Sequence, residues 1–349
     1  MAAARLGAAA DLVTRLHAAG LSRVLIAAED STARQALRDA GGELLQGWPK
    51  PFHFGRVLAW SADRAGAPSL AYFGGASAPL ATPAVLESWL RQWQGLPQGS
   101  ALVNNVHSSD WALLSDTAAL RSAGERLDSD NALGWILREE LKVQVAEPPR
   151  SAASHADIDT PGDLALMRLH PGIGPRLGEA LDPFPVELAR RTEAILRLLR
   201  AEASSLALIG RVSAEVWMEL VRATRIWVRV YAEERGMRAS GRQARGEVRS
   251  LVGDLVDRLG PIEFLGSLAT LAQGALWDTR VWMAQRGRWP SAADRMASDL
   301  GWVDHVGQED VRRLTEAIIQ SGLPILTGGH GIVAGSLLAM VESLGTIQP

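Results

Sequence analysis

The sequence predicts an α/β protein built on a mainly parallel sheet with helices on both faces, followed by a mostly helical α/β domain. Three observations predict it. Short apolar runs alternate with amphipathic stretches over the first half of the chain, the cadence of strand–helix–strand units. Glycine, proline and hydroxyl residues punctuate that cadence at the expected ends of the helices. The composition, 47% hydrophobic and 21% charged over 349 residues, supplies one large core or two ordinary ones and excludes disorder or a fibre.

Residues 4–19 read as a helix, and SRVLIAAED (22–30) as a short strand whose acidic and hydroxyl end caps the next helix, STARQALRDAG, closed by Gly41. PFHFGRVLAWSADRAGAP is a helix stopped by glycine and proline, and SLAYFGG a buried strand. TPAVLESWLRQW opens with Thr82 as N-cap and Pro83 at the first helical position. SALVNNV is a strand; HSSDW is a loop; helices are expected from Leu113 to Gly124 and from Asp130 to Glu140, then a strand in VQVAEPP. The Pro- and Gly-rich passage HPGIGPRLGEALDPFP marks a junction, giving domains 1–170 and 171–349. Beyond it, residues 185–200 are a helix, SSLALIG is a strand leading to a capped helix from Ser213, and RIWVRVYAEE is a second strand. The remainder is expected to be mainly helical until LPILTGG.

The formal charge of -3 gives no global basic field, so nucleic acid is disfavoured as a partner and any polyanion site must be local. The absence of cysteine excludes disulfides, thiolate metal sites and cysteine nucleophiles, and fits a reducing, cytoplasmic compartment. The N-terminus is broken by Asp11 and two arginines and reads as a cytosolic start. From Ala317 to Val341 there is no charged carboxylate, Lys or Arg, but Gly328, Gly329, His330 and Gly331 break the stretch, so a strand, a glycine loop and a helix are expected rather than a membrane span. A homo-oligomer stays open. Twelve tryptophans outnumber the other aromatics and are expected chiefly in core and interface positions, with a stacking platform as the alternative.

The runs PFHFGRVLAWSADRAGAPSLAYFGGASAPLATPAVLESWL (51–90) and HADIDTPGDLAL (155–166) resemble the nucleotidyltransferase branch of the GT-A fold, in particular molybdenum-cofactor and phospholactate guanylyltransferases. The second run is similar to that family's late "DIDTPEDL" segment, and the first to its glycine-containing helix, central strand and "PL-x-TP" helix. The resemblance implies a GT-A-like, Rossmann-like domain up to about residue 167 that handles nucleotides with a divalent metal. The family's phosphate-wrapping "LAGG-x-x-x-R" string is not found. Gly74, Gly75, Ala76 and Ser77 stand where the family places a metal-holding aspartate.

Candidate chemistry gathers in five places. Asp157 and Asp159 are two apart, so on extended chain both carboxylates share a face and could hold Mg²⁺ together with phosphate oxygens; the alternative is that Asp159 caps the helix opened by Thr160 and Pro161. NNVHSSDW offers Asn104, Asn105 and Ser108 for reading a ligand edge, with His107 and Asp110 as candidate acid or base, and a set of self-satisfied turns is the alternative. Gly74, Gly75 and Ser77 follow a strand and could line the same edge. Eight arginines between Arg222 and Arg249 face only three glutamates, an excess of five positive charges in which Arg238 and Arg242 are candidates for phosphate; solvated ion pairs are the alternative. Gly328, Gly329 and His330 read as an anion-binding turn.

Two functions follow as expectations. One is a Mg²⁺-dependent, nucleotide- or sugar-nucleotide-dependent transferase. The other is a noncatalytic relative that binds a phosphorylated metabolite or a protein partner. The small-molecule partner expected is a nucleotide or phosphorylated compound, and no membrane is involved.

Overall fold

The computed structural model describes residues 1–238 and 240–345. They form an α/β protein of two compact units, residues 2–155 with 172–180, and residues 156–171 with those from 181 onward and Met1. The chain changes unit at residue 156 and the DIDTPGDL segment belongs with the second unit, so beyond Ala2 the chain crosses between units after residues 155, 171 and 180.

The first unit opens with α1 (Ala2–Ala18), α2 (Ser31–Asp39), α3 (Phe54–Ala65), α4 (Pro83–Gln94) and α5 (Ala118–Ala123). Thr82 caps α4 through Val85 N at 3.4 Å, with Pro83 in the first turn. The alanine-rich face of α1 lies so close to the short helix Pro175–Ala180 that a Cβ on Gly7 would meet the Arg176 carbonyl at 2.7 Å. Buried Asp11 accepts from the Leu177 and Arg176 amides there, at 2.9 and 3.2 Å.

Strands β1 (Leu25–Ile26) and β2 (Glu43–Leu44) make a parallel pair. Strands β3 (Leu70–Phe73), β4 (Ala101–Val103), β5 (Trp111–Leu114) and β6 (Val145–Ala146) form a second sheet in the order β3-β5-β4-β6. β4 and β6 are parallel, whereas β5 runs antiparallel to both β3 and β4. This corrects the helix expected from Leu113: WALL is a strand buried on both faces, which removes the alternation that marks a half-exposed strand. Trp111 and Leu113 pack with Leu86 and Trp89 on one face, and Ala112 and Leu114 with Leu58, Leu120 and Leu137 on the other.

The second unit holds a wholly parallel sheet of β7 (Ser205–Gly210), β8 (Trp227–Ala232), β9 (Gly274–Asp278) and β10 (Ile325–Gly328), in the order β10-β9-β7-β8. β9 falls where the sequence predicts helix. It is a fully buried five-residue strand, and Gly274 at its start is the one break between it and the apolar helix before it. The helices of this unit are α6 (Pro161–Met167), α7 (Val186–Arg200), α8 (Ala214–Ala223), α9 (Leu251–Leu259), α10 (Pro261–Leu271), α11 (Arg280–Gln285), α12 (Ala292–Leu300), α13 (Glu309–Gln320) and α14 (Gly335–Leu344). Ala207, Ile209, Ala275, Trp277 and Ile325 face the layer of α9, α10 and α13. Leu206, Leu208, Leu276 and Leu326 alternate with them and are also fully buried, so helices cover both faces. Among the described residues no helix is long and apolar enough to cross a membrane.

Candidate functional site

In the first unit, the loops after β3 and β4 meet at one edge of the mixed sheet. Gly74 N donates to the Asp110 carbonyl at 3.0 Å, which brings Gly74, Gly75 and Ser77 beside Asn104, Asn105, His107, Ser108 and Asp110 as the sequence anticipates. The side chains there largely satisfy one another. Buried Asn104 accepts from the Asp110 and Trp111 amides and donates to the Asp110 carboxylate at 2.8 Å, bracing the β4–β5 connection. Asn105 accepts from His107 N at 3.0 Å, Ser77 Oγ donates to Gly74 O, and Ser108 Oγ donates to Asn131 at 2.9 Å. Tyr72 donates to Asp130 at 2.9 Å; burial, then the Asp130 and Asp110 charges, push its hydroxyl pKa up. This edge is a folded set of turns whose amide and hydroxyl groups are mostly engaged.

In the second unit the chain leaves β7 towards β8 on one side, then returns to place β9 on the other. The gap between the carboxyl ends of β7 and β9 is therefore the topological switch point, where open parallel sheets take their ligands. The residues at these ends carry charge deep into the unit. Gly210, at φ 109°, closes β7 against β9 so tightly that a Cβ would lie 2.6 Å from that of Asp278. Arg211, the next residue, grips the fully buried Asp278 with two guanidinium bonds, Nε–Oδ2 at 2.6 Å and Nη2–Oδ1 at 3.0 Å. Burial pushes the Asp278 carboxyl up, but the Arg211 guanidinium outweighs it and holds the pKa below its ordinary value. Behind this pair, Arg280 binds Asp299 bidentately at 3.0 and 2.5 Å, both side chains buried. Burial would lower the Arg280 pKa, yet Asp299 raises it overall, while burial outweighs Arg280 at the other end of the pair and pushes the Asp299 carboxyl up. Arg191 on α7 donates to the Asp299 and Ile325 carbonyls, tying α12 to β10.

The glycine turn after β10 packs on the start of α6. Thr160 caps α6 and Asp163 completes a capping box, accepting from Thr160 N at 2.7 Å and Thr160 Oγ1 at 2.8 Å; the expected cap by Asp159 is thus replaced by Thr160. Ser336 at the start of α14 donates to the other Asp163 oxygen at 2.8 Å. A Cβ on Gly331 would sit 2.2 Å from that oxygen, so only glycine fits. Ile158 is buried between half-buried Asp157 and exposed Asp159, and Asp159 stands in the bend that precedes α6. Asp159 acts electrostatically on Asp163 and on His330.

His330 stands exposed at the end of β10, and neither ring nitrogen has a hydrogen-bond partner among the described residues. Surrounding protein mass and the Arg211 charge hold its pKa below the ordinary histidine value, against Asp278 and Asp159. The arginine-rich segment is the loop from β8 to α9. Glu234, in a left-handed conformation at φ 58°, holds Arg242 at 2.7 Å and the Arg249 amide at 3.1 Å. Met237 and Val248 bury themselves against Val281 and Ala284 of α11, which fixes the loop at the carboxyl edge. Arg242 is consequently a clamp inside the loop rather than an open phosphate donor. Arg245 pairs with Glu247. Arg235 makes one long bond, to Val212 O at 3.4 Å, and exposed Arg238 forms no ion pair among the described residues.

Gly328, Gly329, His330 and Arg238 thus fall at the carboxyl edge of the second unit's sheet or its covering loop, with Asp157 and Asp159 in the same unit. Sequence reasoning missed Arg211, Asp163, Arg191 and the pairing of Arg280 with Asp299. An arginine directly after a strand that ends in glycine was the available signal for Arg211. Among the described residues no group of three or more His, Asp or Glu side chains could hold a metal, so Mg²⁺ at Asp157 and Asp159 would have to be completed by oxygens of a bound phosphate. The sequence matches no protein-family model and no curated protein.

Proposed function

We propose that this protein binds a nucleotide or a related phosphorylated small molecule at the carboxyl edge of the second unit's parallel sheet. The observation that carries the reading is an open guanidinium donor, that of Arg211, held there by a buried ion pair. Arg211 spends Nε and Nη2 on Asp278, leaving Nη1 without an acceptor among the described residues, while Arg235 and His330 act on the same neighbourhood. A guanidinium locked by a buried carboxylate keeps its orientation without a ligand, so binding costs little side-chain ordering. Phosphate is the anion whose tetrahedral oxygens such diverging donors suit.

The transferase reading, with the GT-A-like fold for the N-terminal half, is favoured by one observation of its own. Asp157 and Asp159 stand two residues apart with neither fully buried, and Asp159 is in electrostatic reach of His330. With Mg²⁺ bound, that pair would neutralise phosphate charge, leaving His330 to accept a proton. Asp110 and His107 are then left to the turns of the first unit.

A thermal-shift panel of pyrophosphate, nucleoside di- and triphosphates and sugar nucleotides, with and without Mg²⁺, tests both readings. A ligand at about 100 times its Kd adds roughly 2.7 kcal/mol, or about 5–10 °C for a unit of this size. A shift that needs Mg²⁺ and disappears in Asp159→Asn supports the transferase. No shift with any phosphorylated compound refutes the proposal.

A further inference from the structure

The approach to α12 holds an arginine in place without giving it an acid. Ser291 caps the helix by accepting from the Asp294 amide at 3.0 Å, and Pro290 before it is buried, so the segment Trp289–Ser291 is anchored at its end. Helical side chains lean towards the N-terminus, and half-buried Arg295 leans back over this segment. Its guanidinium carbon stands 4.9 Å from the centroid of the Trp289 ring, and its Nη1 donates to the Pro290 carbonyl. Nε and Nη2 find no acceptor among the described residues and are not sealed from solvent. Those two donors form the edge of a guanidinium that meets two oxygens of one anion at once.

The neighbouring carboxylates are committed elsewhere. Asp299, one turn further along α12, spends both oxygens on Arg280. Asp294 is turned to the cap, accepting from the Gly307 amide at 2.6 Å and from Ser291 Oγ at 3.0 Å. Two further charges act on Arg295, and both are positive: Arg280 and, from the loop between β8 and α9, Arg238. Arg238 is exposed and follows Met237, whose burial against Val281 and Ala284 fixes that part of the loop on α11. Burial first, then Arg280 and Arg238, hold the Arg295 pKa below its ordinary value, against Asp299. A half-buried cation that faces a second unpaired cation is relieved when an anion joins the two.

We propose that Arg295 and Arg238 form a second anion subsite, which takes the phosphate group of a phosphate monoester. Phosphate is the class that fits, because its charge of about −1.5 to −2 near pH 7 balances both guanidinium groups where a carboxylate balances one. Two of its oxygens meet the Nε–Nη2 edge of Arg295, and a third is left for Arg238. Trp289 is the positioning residue. Its ring holds the guanidinium by cation–π attraction while the Pro290 carbonyl takes Nη1, so the open edge keeps its orientation before the anion arrives and little side-chain freedom is lost on binding. The subsite uses none of the donors of Arg211, Arg235 or His330, and it stands or falls apart from the site at the switch point.

Proton–nitrogen NMR of the arginine Nε–Hε groups in the full chain tests it, with the Arg295 signal identified by its loss in Arg295→Lys. Titration with glycerol 3-phosphate at constant ionic strength is expected to shift that signal to saturation. Arg238→Gln, at an exposed position without an ion pair, is expected to weaken the response about fivefold, the worth of one exposed charge contact. Arg211→Gln is expected to leave it unchanged, so the two anion sites are read separately. An Arg295 signal that ignores glycerol 3-phosphate, that answers inorganic phosphate alone, that responds equally to chloride or acetate, or that depends on Arg211 rather than Arg238 overturns the proposal.

Discussion

Replacing Asp163 with asparagine should abolish a falling limb in the pH dependence of stability. Asp163 is fully buried, and burial together with the charge of Asp159 pushes its carboxyl pKa up to about 7, against the bonds from Thr160 and Ser336 that favour the ionised form. In the unfolded chain the same carboxyl titrates near its ordinary value, about 4. Between those two values the folded protein holds a proton that the unfolded chain has released. Stability therefore falls as pH rises through that window and levels off above about 7. From about pH 5 to pH 8 the folded carboxyl loses about two units' worth of this advantage, on the order of 3 kcal/mol at about 1.36 kcal/mol per unit. His330 works the other way, since a depressed histidine pKa makes stability rise with pH up to its unfolded value, but it is common to both proteins and cancels in the difference. An asparagine side chain at this position cannot titrate, keeps a carbonyl for the Thr160 amide, and offers its NH₂ to hydroxyls that can rotate to accept. Urea unfolding of wild type and Asp163→Asn, followed by tryptophan fluorescence at about pH 5, 6, 7 and 8, should show two curves that converge or cross as pH rises. Parallel curves over the whole range would refute the reasoning.

Other perturbations follow from the same geometry. Arg280→Met leaves Asp299 as an uncompensated buried carboxylate and should cost about 3–5 kcal/mol by denaturant titration, with Arg280→Met/Asp299→Leu costing less than the single change. Arg235→Gln should weaken pyrophosphate binding and flatten its salt dependence in isothermal titration with the melting temperature unchanged, whereas Arg242→Gln should speed hydrogen exchange at Met237 and Val248 by freeing Glu234. Thr82→Ala removes the α4 cap and should cost about 1 kcal/mol in urea unfolding, with Thr82→Ser restoring most of it.

Where a side chain announces a backbone event, the sequence is readable. Thr82 with Pro83 and Thr160 with Pro161 each begin a helix, and LTGGHG is the turn after β10. Two strands are not readable, for one physical reason. WALL and GALWD are buried on both faces, so neither shows the two-residue alternation, and each is short and apolar beside a helix. The charged core is hidden differently. Arg191 and Asp299 each sit in an amphipathic helix where a charge is ordinarily read as solvent-facing, and nothing local shows that they meet across 108 residues of chain. The arginine-rich loop is visible as a charge excess, yet the role of Glu234 as its clamp depends on a left-handed turn that composition does not reveal.

The return of residues 172–180 to the first unit has a consequence for how the protein is made. Asp11 leaves the ribosome 165 and 166 residues before the Arg176 and Leu177 amides that receive its carboxylate. At about 5–20 residues per second, α1 waits roughly 8–33 seconds for that partner. The nascent N-terminal unit must stay competent through the interval with its alanine face unpaired. A truncation at residue 155 freezes the chain in that state, so the first unit should be recovered in soluble form only when 172–180 is supplied on the same polypeptide.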